Sequence, residues 1–370
     1  MQDLPDSVRN AMIGLYVRGS RYALFRDHMP SRLTIFLTDQ CNLRCAHCFI
    51  VKEDQPKSWE MGLDEYRKLF RSLRGKVKQL QLTGGEPTVR GDFSEVIRLA
   101  YTEGKIPSIR LFSNGISTKR LVDLLQDHRH QSQARFTIQT SIDGLHASHD
   151  ANRGVEGALE KTRATLDALV HLKNQQDGKI DRIIVVTAIS SKNLHELPEI
   201  IQSVNQNEIL HAFTFVRGSE KGVFNLNGSV QPSNFEPADY QGYLTVEQME
   251  SARDTIQREL WDKEPERLMY AFNRIGLDII IKSLKTGTGQ IDCKMGYGDL
   301  IILSNGDVSR CEMLQSITNL KDHDWNLDNV LRSETFNNFM KSTANCWCTH
   351  DCSIGVSMMY EADLLKLLFK

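Results

Sequence analysis

Six short, apolar, β-rich runs recur along the first part of the chain, separated by amphipathic segments. The runs are Leu33–Leu37, Lys78–Leu82, Ile109–Phe112, Phe136–Ser141, Ile183–Ile189 and Phe213–Val216. Between them, Leu63, Tyr66, Leu69, Phe70 and Leu73 share one helical face. Leu121, Leu124 and Leu125 mark a shorter face, and Val155, Ala158, Leu159, Leu166, Leu169 and Val170 another. Strands that alternate with helices predict a parallel sheet with helical crossovers, because parallel neighbours need a long connection. The chain is therefore read as α/β. Its 370 residues support one large domain and a smaller one.

The first run leads into Thr38-Asp-Gln-Cys-Asn-Leu-Arg-Cys-Ala-His-Cys-Phe49, a C-x3-C-x2-C triplet made by Cys41, Cys45 and Cys48. Three thiolates on one loop suit three corners of a four-iron, four-sulfur cluster, which ordinarily takes four cysteines. The next cysteine is Cys293, so the spacing predicts an iron left open to a non-protein ligand. Three other readings stand beside this one. A structural zinc site usually has four ligands in closely spaced pairs, and His47 is a cramped fourth. A disulfide framework suits small secreted chains, whereas this sequence has no secretory signal. Free thiols are also often simply buried.

The second run ends in Thr83-Gly84-Gly85-Glu86-Pro87. Two glycines let the backbone approach a ligand closely. Glu86 then presents a carboxylate able to accept from an ammonium group, and Pro87 stiffens the exit. Alone, this is an ordinary strand-end turn; after a cysteine triplet it is more specific.

With both motifs in place, the chain resembles the radical S-adenosylmethionine (SAM) enzymes. That family's triplet is C-x3-C-x-(aromatic)-C; His47 fills the aromatic slot and Phe49 follows the third cysteine. Its Gly-Gly-Glu motif matches Gly84, Gly85 and Glu86, before Pro87, and implies contact with the methionyl amino group. Its later Asn-Gly matches Ser113-Asn114-Gly115. Its Ser-x-Asp-Gly matches Ser141-Ile142-Asp143-Gly144, the segment that contacts the methionyl carboxylate or ribose. His149-Asp150-Ala-Asn-Arg153-Gly154 resembles a His-Asp-x-x-Arg-Gly found in members with extra clusters. Arg153 suits a carboxylate bidentately, with a helix-entry surface arginine as the alternative. The resemblance implies an open, partial (β/α)6 TIM-like barrel, with function at the C-terminal ends of its strands. It implies that Cys41, Cys45 and Cys48 hold a catalytic 4Fe-4S cluster chelated by SAM. The implied chemistry is reductive cleavage to methionine and a 5′-deoxyadenosyl radical that takes hydrogen from a substrate C–H.

A second cysteine set follows: Cys293, Cys311, Cys346, Cys348 and Cys352. Ile301–Ser304, Asn305-Gly306 and Asp307–Cys311 predict a hairpin, since Asn-Gly is the favoured two-residue turn. The hairpin returns Cys311 towards Cys293. A short helix, Thr335–Ser342, precedes the last three cysteines. Cys293…Gly306-x4-Cys311 resembles the opening of the SPASM/twitch extension of radical SAM enzymes, with a shortened closing part. Five cysteines allow one auxiliary 4Fe-4S cluster with one thiol over; a closed zinc site is the alternative. The spare thiol is a hydrogen-atom donor or an unused buried group. His350 and Asp351 are expected to tune the cluster or simply to be solvated. The domain reading is an N-terminal extension 1–32, the barrel 33–217, a loop and helical bridge 218–290, and the auxiliary iron–sulfur domain 291–370. Within the bridge, Arg217 to Tyr243 lacks periodicity and is read as a lid or a plain surface loop. Leu244 to about Thr286 is read as helical.

Net charge is −2, from 45 basic and 47 acidic residues, which offers nucleic acid no polyelectrolyte surface. No run of eighteen apolar residues predicts a transmembrane helix, and a cytoplasmic location is expected. The tail Met358–Lys370 is apolar and helix-prone, for docking on the barrel or on a membrane or partner surface. About thirty residues precede the first strand, too few for a folded leader-binding domain. The substrate is read as a small molecule or a peptide that undergoes oxidation, epimerisation or crosslinking. A flavodoxin or ferredoxin is the expected electron donor. Two alternatives stand: a maturase of ribosomally made peptides working with a separate leader-binding partner, and a non-catalytic iron–sulfur or zinc scaffold.

Overall fold

The computed structural model describes residues 11–17, 29–50, 59–145, 147–175, 179–204, 208–217, 223–226, 230, 240–264 and 268–367. Each expected run is a strand: β1 Arg32–Phe36, β2 Gln79–Thr83, β3 Ser108–Phe112, β4 Arg135–Ser141, β5 Ile180–Ile189 and β6 Ile209–Phe215. They pair in parallel in chain order, Leu33 opposite Leu80, Leu80 opposite Ile109, and Ile109 opposite Phe136. The last strand begins earlier than expected. His211 interrupts the apolar run, but its ring is buried against Phe213 and bonded to Thr187 Oγ1 at 2.8 Å.

The two faces of this sheet differ, and the difference locates the site. Leu33, Ile35, Leu80, Leu82, Ile109, Leu111, Phe136, Ile138, Ile183 and Val185 point outward into one buried core. Tyr66, Leu69 and Phe70 of helix Leu63–Leu73 and Val96 and Ile97 of helix Phe93–Thr102 close over that face. Each such aliphatic side chain contributes about 1.5–3 kcal/mol on burial. The alternate row carries Thr34, Gln81, Gln139 and Ser141 into a cavity. Parallel strands are usually apolar on both faces. A polar inner row therefore marks a working interior.

Among the described residues the sheet has nine strands, in the order β10-β9-β8-β1-β2-β3-β4-β5-β6. Strand β8, Asp299–Ile302, lies parallel to β1, with Leu300 opposite Leu33. It forms the predicted hairpin with β9, Asp307–Ser309, and β10, Thr318–Asn319, follows. Gly306 sits at the turn with φ 85°, where a Cβ would meet the Trp325 ring at 2.8 Å. The first hairpin of the 291–370 segment is thus continuous with the barrel sheet. The opposite edge, β6, is blunted by Asn273 of helix Leu268–Thr286. Its amide bonds the Phe213 backbone N–H and C=O at 3.0 and 2.8 Å.

The bridge contains helix Val246–Ile256, capped by Thr245, a π-type turn Gln257–Trp261 and helix Leu268–Thr286. Most of the expected lid, residues 218–222, 227–229 and 231–239, lies outside the described residues. Within it, β7, Val223–Phe224, pairs antiparallel with β11, Trp347–Cys348. Phe224 and Trp347 stack at 4.2 Å, and Asn225 donates to the Asn345 carbonyl at 3.0 Å. The tail continues as helix Asp351–Met358 and a short helix Ala362–Leu367. Ile354 and Met358 join the core beneath helix Leu268–Thr286, and Tyr360 Oη meets Ser31 Oγ at 3.1 Å, so this part docks on the barrel.

Candidate active site at the strand ends

The loops leaving β1 to β4 meet at one rim. The turn after β2 is stitched to the cysteine loop: Leu37 N to Thr83 O at 2.8 Å, Gly85 N to Thr38 O at 2.7 Å, Glu86 N to Gln40 O at 2.8 Å. A Cβ on Gly84 would lie 2.4 Å from Thr38 O, and one on Gly85 2.1 Å from Gln40 O. The two glycines let this turn pack directly against the backbone that carries the cysteines.

Glu86 departs from expectation. Its carboxylate is fully buried and accepts from Thr88 N (3.1 Å), Thr88 Oγ1 (2.6 Å), Ser113 Oγ (3.0 Å) and Asn114 N (2.6 Å). Burial raises its pKa against those bonds. Its lone pairs serve the short turn Pro87–Val89 and the end of β3 rather than an external ammonium. Asn114 extends this brace, donating to Asn42 Oδ1 at 2.7 Å with its amide 3.8 Å from Cys41 Sγ.

On the other side, helix Ala147–Arg153 holds the same loop. Arg44 N and Ala46 N donate to the Arg153 and Asn152 carbonyls at 3.0 and 2.8 Å. Gly154, at φ 70°, has no room for a Cβ beside Arg44 O, 2.8 Å away. Asp150 accepts from Gly157 N and Leu159 N, starting helix Ala158–Asn174. His149 Nδ1 accepts from Asp143 N at 3.2 Å. Arg153 is not a surface arginine: it is buried, and Nη2 is bonded to Asp143 Oδ2 at 2.6 Å. Nη1 lies 3.6 Å from Cys45 Sγ, and buried Nε has no partner. Asp143 also accepts from Ala188 N (2.9 Å) and Asn152 Nδ2 (3.2 Å), with His47 Nε2 at 3.8 Å. Burial would raise the Asp143 pKa, yet Arg153 and His47 bring it below the usual carboxylate range.

The three thiols are half-buried and close enough to repel one another as thiolates. Burial pushes Cys41 up to about 11, with Glu86, Cys45 and Cys48 adding to it. Burial also raises Cys45, against the pull of Arg153. A metal cluster replaces the protons such thiols retain, which couples loading to proton release. The donor set and the adjacent guanidinium fit a thiolate-bound cluster.

This rim opens on a cavity of about 280 Å³. His47, Ser141, Asp143 and Arg153 line one wall, Glu312 and Cys352 another. His47 Nδ1 lies 3.2 Å from Asn152 Oδ1 and its ring faces Tyr240 edge-on. Phe49 lies under the Arg217 guanidinium, 4.1 Å from its ring centre, and Arg217 bonds Glu312 at 2.9 Å. Neither Arg217 nor Glu312 is marked by a motif; Arg217 is visible only as the charge that ends the β6 run.

The second cysteine set divides four to one. Cys293 and Cys346 share a hydrogen bond, and Cys311 interacts with Cys293, Cys346 and Cys348. Cys346 donates to Cys293 and Arg310 faces it, so Cys293 ionises first, drawn down to about 6. Arg310 is buried, bonded to the Met295 carbonyl at 2.9 Å, the Cys293 carbonyl at 3.2 Å and the Thr343 carbonyl, and interacts with the Cys293 thiol. Burial would lower its pKa, but the thiols keep it charged. A buried guanidinium among four thiols fits an all-thiolate metal centre. Cys352 does not belong to that set: it faces the cavity, with Asp351 and Glu312 rather than cysteines as its neighbours. It is the candidate for the one thiol left over. The β7–β11 pair presents Cys348 to the four, while the start of helix Asp351–Met358 turns Cys352 away.

Two buried histidines set a pH response. Burial, with Arg153 beside it, takes His149 down to about 4, and burial takes His211 down to about 3. Both are neutral in the fold and take up protons on unfolding, where the value is about 6.5. The unfolded state therefore binds more protons from about pH 6.5 down to about 4, and stability falls as pH falls through that window. The urea midpoint should drop between pH 7 and pH 5, with a shallower drop in His149→Gln.

Residues 35–203 match the family model described as the radical SAM superfamily. The sporulation killing factor maturation protein SkfB of Bacillus subtilis is 27% identical over 51% of this chain and 42% of its own length. The subtilosin biosynthesis protein AlbA of Bacillus subtilis is 27% identical over 48% of this chain and 37% of its own. An AdoMet-dependent heme synthase of Methanosarcina barkeri is 26% identical over 77% of each. The chain thus spans less than half the length of SkfB and AlbA. Among solved structures, anSMEcpe with bound AdoMet aligns at TM-score 0.60, 15% identity, over 84% of this chain and 83% of that one. Streptococcus suis SuiB bound to precursor peptide SuiA aligns at 0.58, 16% identity, over 87% and 70%. At such identities these two structures speak for the fold alone. The family match covers residues 35–203, on a sheet whose rim carries the cysteine triplet, and marks that segment as a radical SAM domain.

Proposed function

We propose that this chain is a radical SAM enzyme acting on a peptide or small molecule held in the cavity behind the cysteine loop. The observation that carries the reading is the juxtaposition at one rim of Cys41, Cys45 and Cys48 with the Asp143–Arg153 pair and the cavity mouth. Cys41, Cys45 and Cys48 would hold the 4Fe-4S cluster. Arg153, buried beside Cys45, would offset the thiolate charge, and its partnerless Nε is a donor for a bound carboxylate. His47, Phe49, Ser141 and Asp143 would line the cofactor and shield it from water. When bound, cluster and SAM together supply reductive cleavage to methionine and a carbon radical that takes hydrogen from the substrate. The set Cys293, Cys311, Cys346 and Cys348 would hold one auxiliary 4Fe-4S cluster against Arg310.

Relatives named for the maturation of sporulation killing factor and the biosynthesis of the bacteriocin subtilosin favour a peptide, oxidised, epimerised or crosslinked. The heme synthase match, over most of both chains, favours a small molecule. A flavodoxin or ferredoxin as electron donor and a cytoplasmic location belong to the same proposal. No described helix is long and apolar enough to cross a membrane. The test is anaerobic reconstitution. The enzyme should bind about eight irons, from two four-iron clusters, and release 5′-deoxyadenosine from SAM on reduction with dithionite. A metal-binding scaffold releases none, and that result would overturn the proposal.

A further inference from the structure

One group on the cavity wall has no part in either cysteine set. His350, Glu312 and Cys352 bring a ring nitrogen, a carboxylate oxygen and a sulfur within 4.8 Å of one another. They come from two places in the fold. Glu312 directly follows Cys311 beyond β9, while His350 and Cys352 flank the first residue of helix Asp351–Met358. Glu312, Cys352 and the intervening Asp351 all line the cavity.

His350 is the second, independent observation. Its side chain is 1% exposed, and Nδ1 is fixed by Ser353 Oγ at 3.2 Å. Nε2 lies 3.0 Å from Glu312 Oε1, with which it pairs off the ideal hydrogen-bond line, and 3.8 Å from Asp351 Oδ1. Arg217 already donates to that same Glu312 oxygen at 2.9 Å. A buried ring nitrogen and a carboxylate oxygen are thus held side by side, as the ligands of one ion are. With Nε2 and Oε1 3.0 Å apart and all three ligand atoms within 4.8 Å of one another, the set lies around the roughly 3.4 Å between donors of a tetrahedral ion with bonds of about 2.0–2.3 Å.

Mixed nitrogen, oxygen and sulfur donors suit zinc or a similar borderline divalent ion. Arg217 would orient the carboxylate and Ser353 the imidazole, as partners of metal ligands commonly do.

We propose that Glu312, His350 and Cys352 form a mononuclear site for a divalent transition-metal ion, with its open position facing the cavity and taking an oxygen or nitrogen of the substrate. Three protein ligands beside an accessible space are the arrangement of a metal that binds a further group. The substrate part of this inference rests on the cavity being the substrate site; the metal site itself does not.

The test reads metal content without turnover, so its failure is distinct from failure of the radical SAM reading. Reconstituted protein is given one equivalent of zinc sulfate anaerobically, desalted, and assayed for zinc and iron. Wild type should retain about one zinc per chain. Cys352→Ser and His350→Gln should retain at least roughly tenfold less, with iron unchanged. Cobalt in place of zinc should give a thiolate-to-cobalt absorption band that Cys352→Ser lacks. Cys352 faces the cavity, so its serine variant should fold even if His350→Gln does not. A ferrous occupant would appear as one extra iron in wild type over both variants and would support the site. Equal zinc in wild type and Cys352→Ser, no zinc in wild type, or loss of a whole cluster's iron in Cys352→Ser would each overturn it.

Discussion

Cys45→Ala should abolish SAM cleavage while leaving the second cluster in place. Cys45 is the thiol nearest Arg153, with Sγ 3.6 Å from the guanidinium. Its loop is pinned on both sides by backbone bonds, so the loop should keep its course when the thiol goes. Iron should fall from about eight per chain to about four, because the Cys293 set lies on other elements. Release of 5′-deoxyadenosine should fall to background, since a cluster with two protein thiols is not retained. Full iron loss would mean that the two sites load as one unit. Residual cleavage near the wild-type rate would mean that Cys45 is not a ligand.

The second large effect is on stability. Asp143→Asn leaves the Arg153 guanidinium buried without its carboxylate, and Nε is already without a partner. Removing one member of a buried ion pair costs about 3–5 kcal/mol. That is a large share of a domain's total of about 5–15 kcal/mol. The urea midpoint of Asp143→Asn should fall sharply. The double variant Asp143→Asn, Arg153→Met, which removes the stranded charge, should recover much of the loss. A single variant as stable as wild type would show that the pair is solvated in solution.

Both effects arise from residues marked in the sequence, but for different reasons. The six strands and the Asn305-Gly306 hairpin are legible because apolar runs and turn residues are local signals. The rim is legible because a parallel sheet places every strand's C-terminal end on one side. What sequence hides is partnership. Gly84 and Gly85 carry no sign of the Thr38 and Gln40 carbonyls they pack against. Glu86 looks like a free carboxylate until Thr88, Ser113 and Asn114 are seen to fill it. Arg310 and Arg217 carry no motif, because their meaning comes from thiols and a carboxylate far along the chain. The four-to-one division of the later cysteines needs the pairing of β7 with β11, which joins segments more than a hundred residues apart. His211 concealed half of β6 because a polar residue ends an apolar run in sequence, whereas Thr187 satisfies it in space.

If Cys41, Cys45 and Cys48 hold a cluster with one iron open to SAM, that cluster's electronic signal must respond to SAM. The most direct measurement is electron paramagnetic resonance of dithionite-reduced Cys311→Ser protein, which lacks a ligand of the auxiliary set, with and without SAM. A reduced four-iron signal whose g-values shift when SAM is added is the expected result. A signal unchanged by SAM, with about four irons still bound, would contradict it.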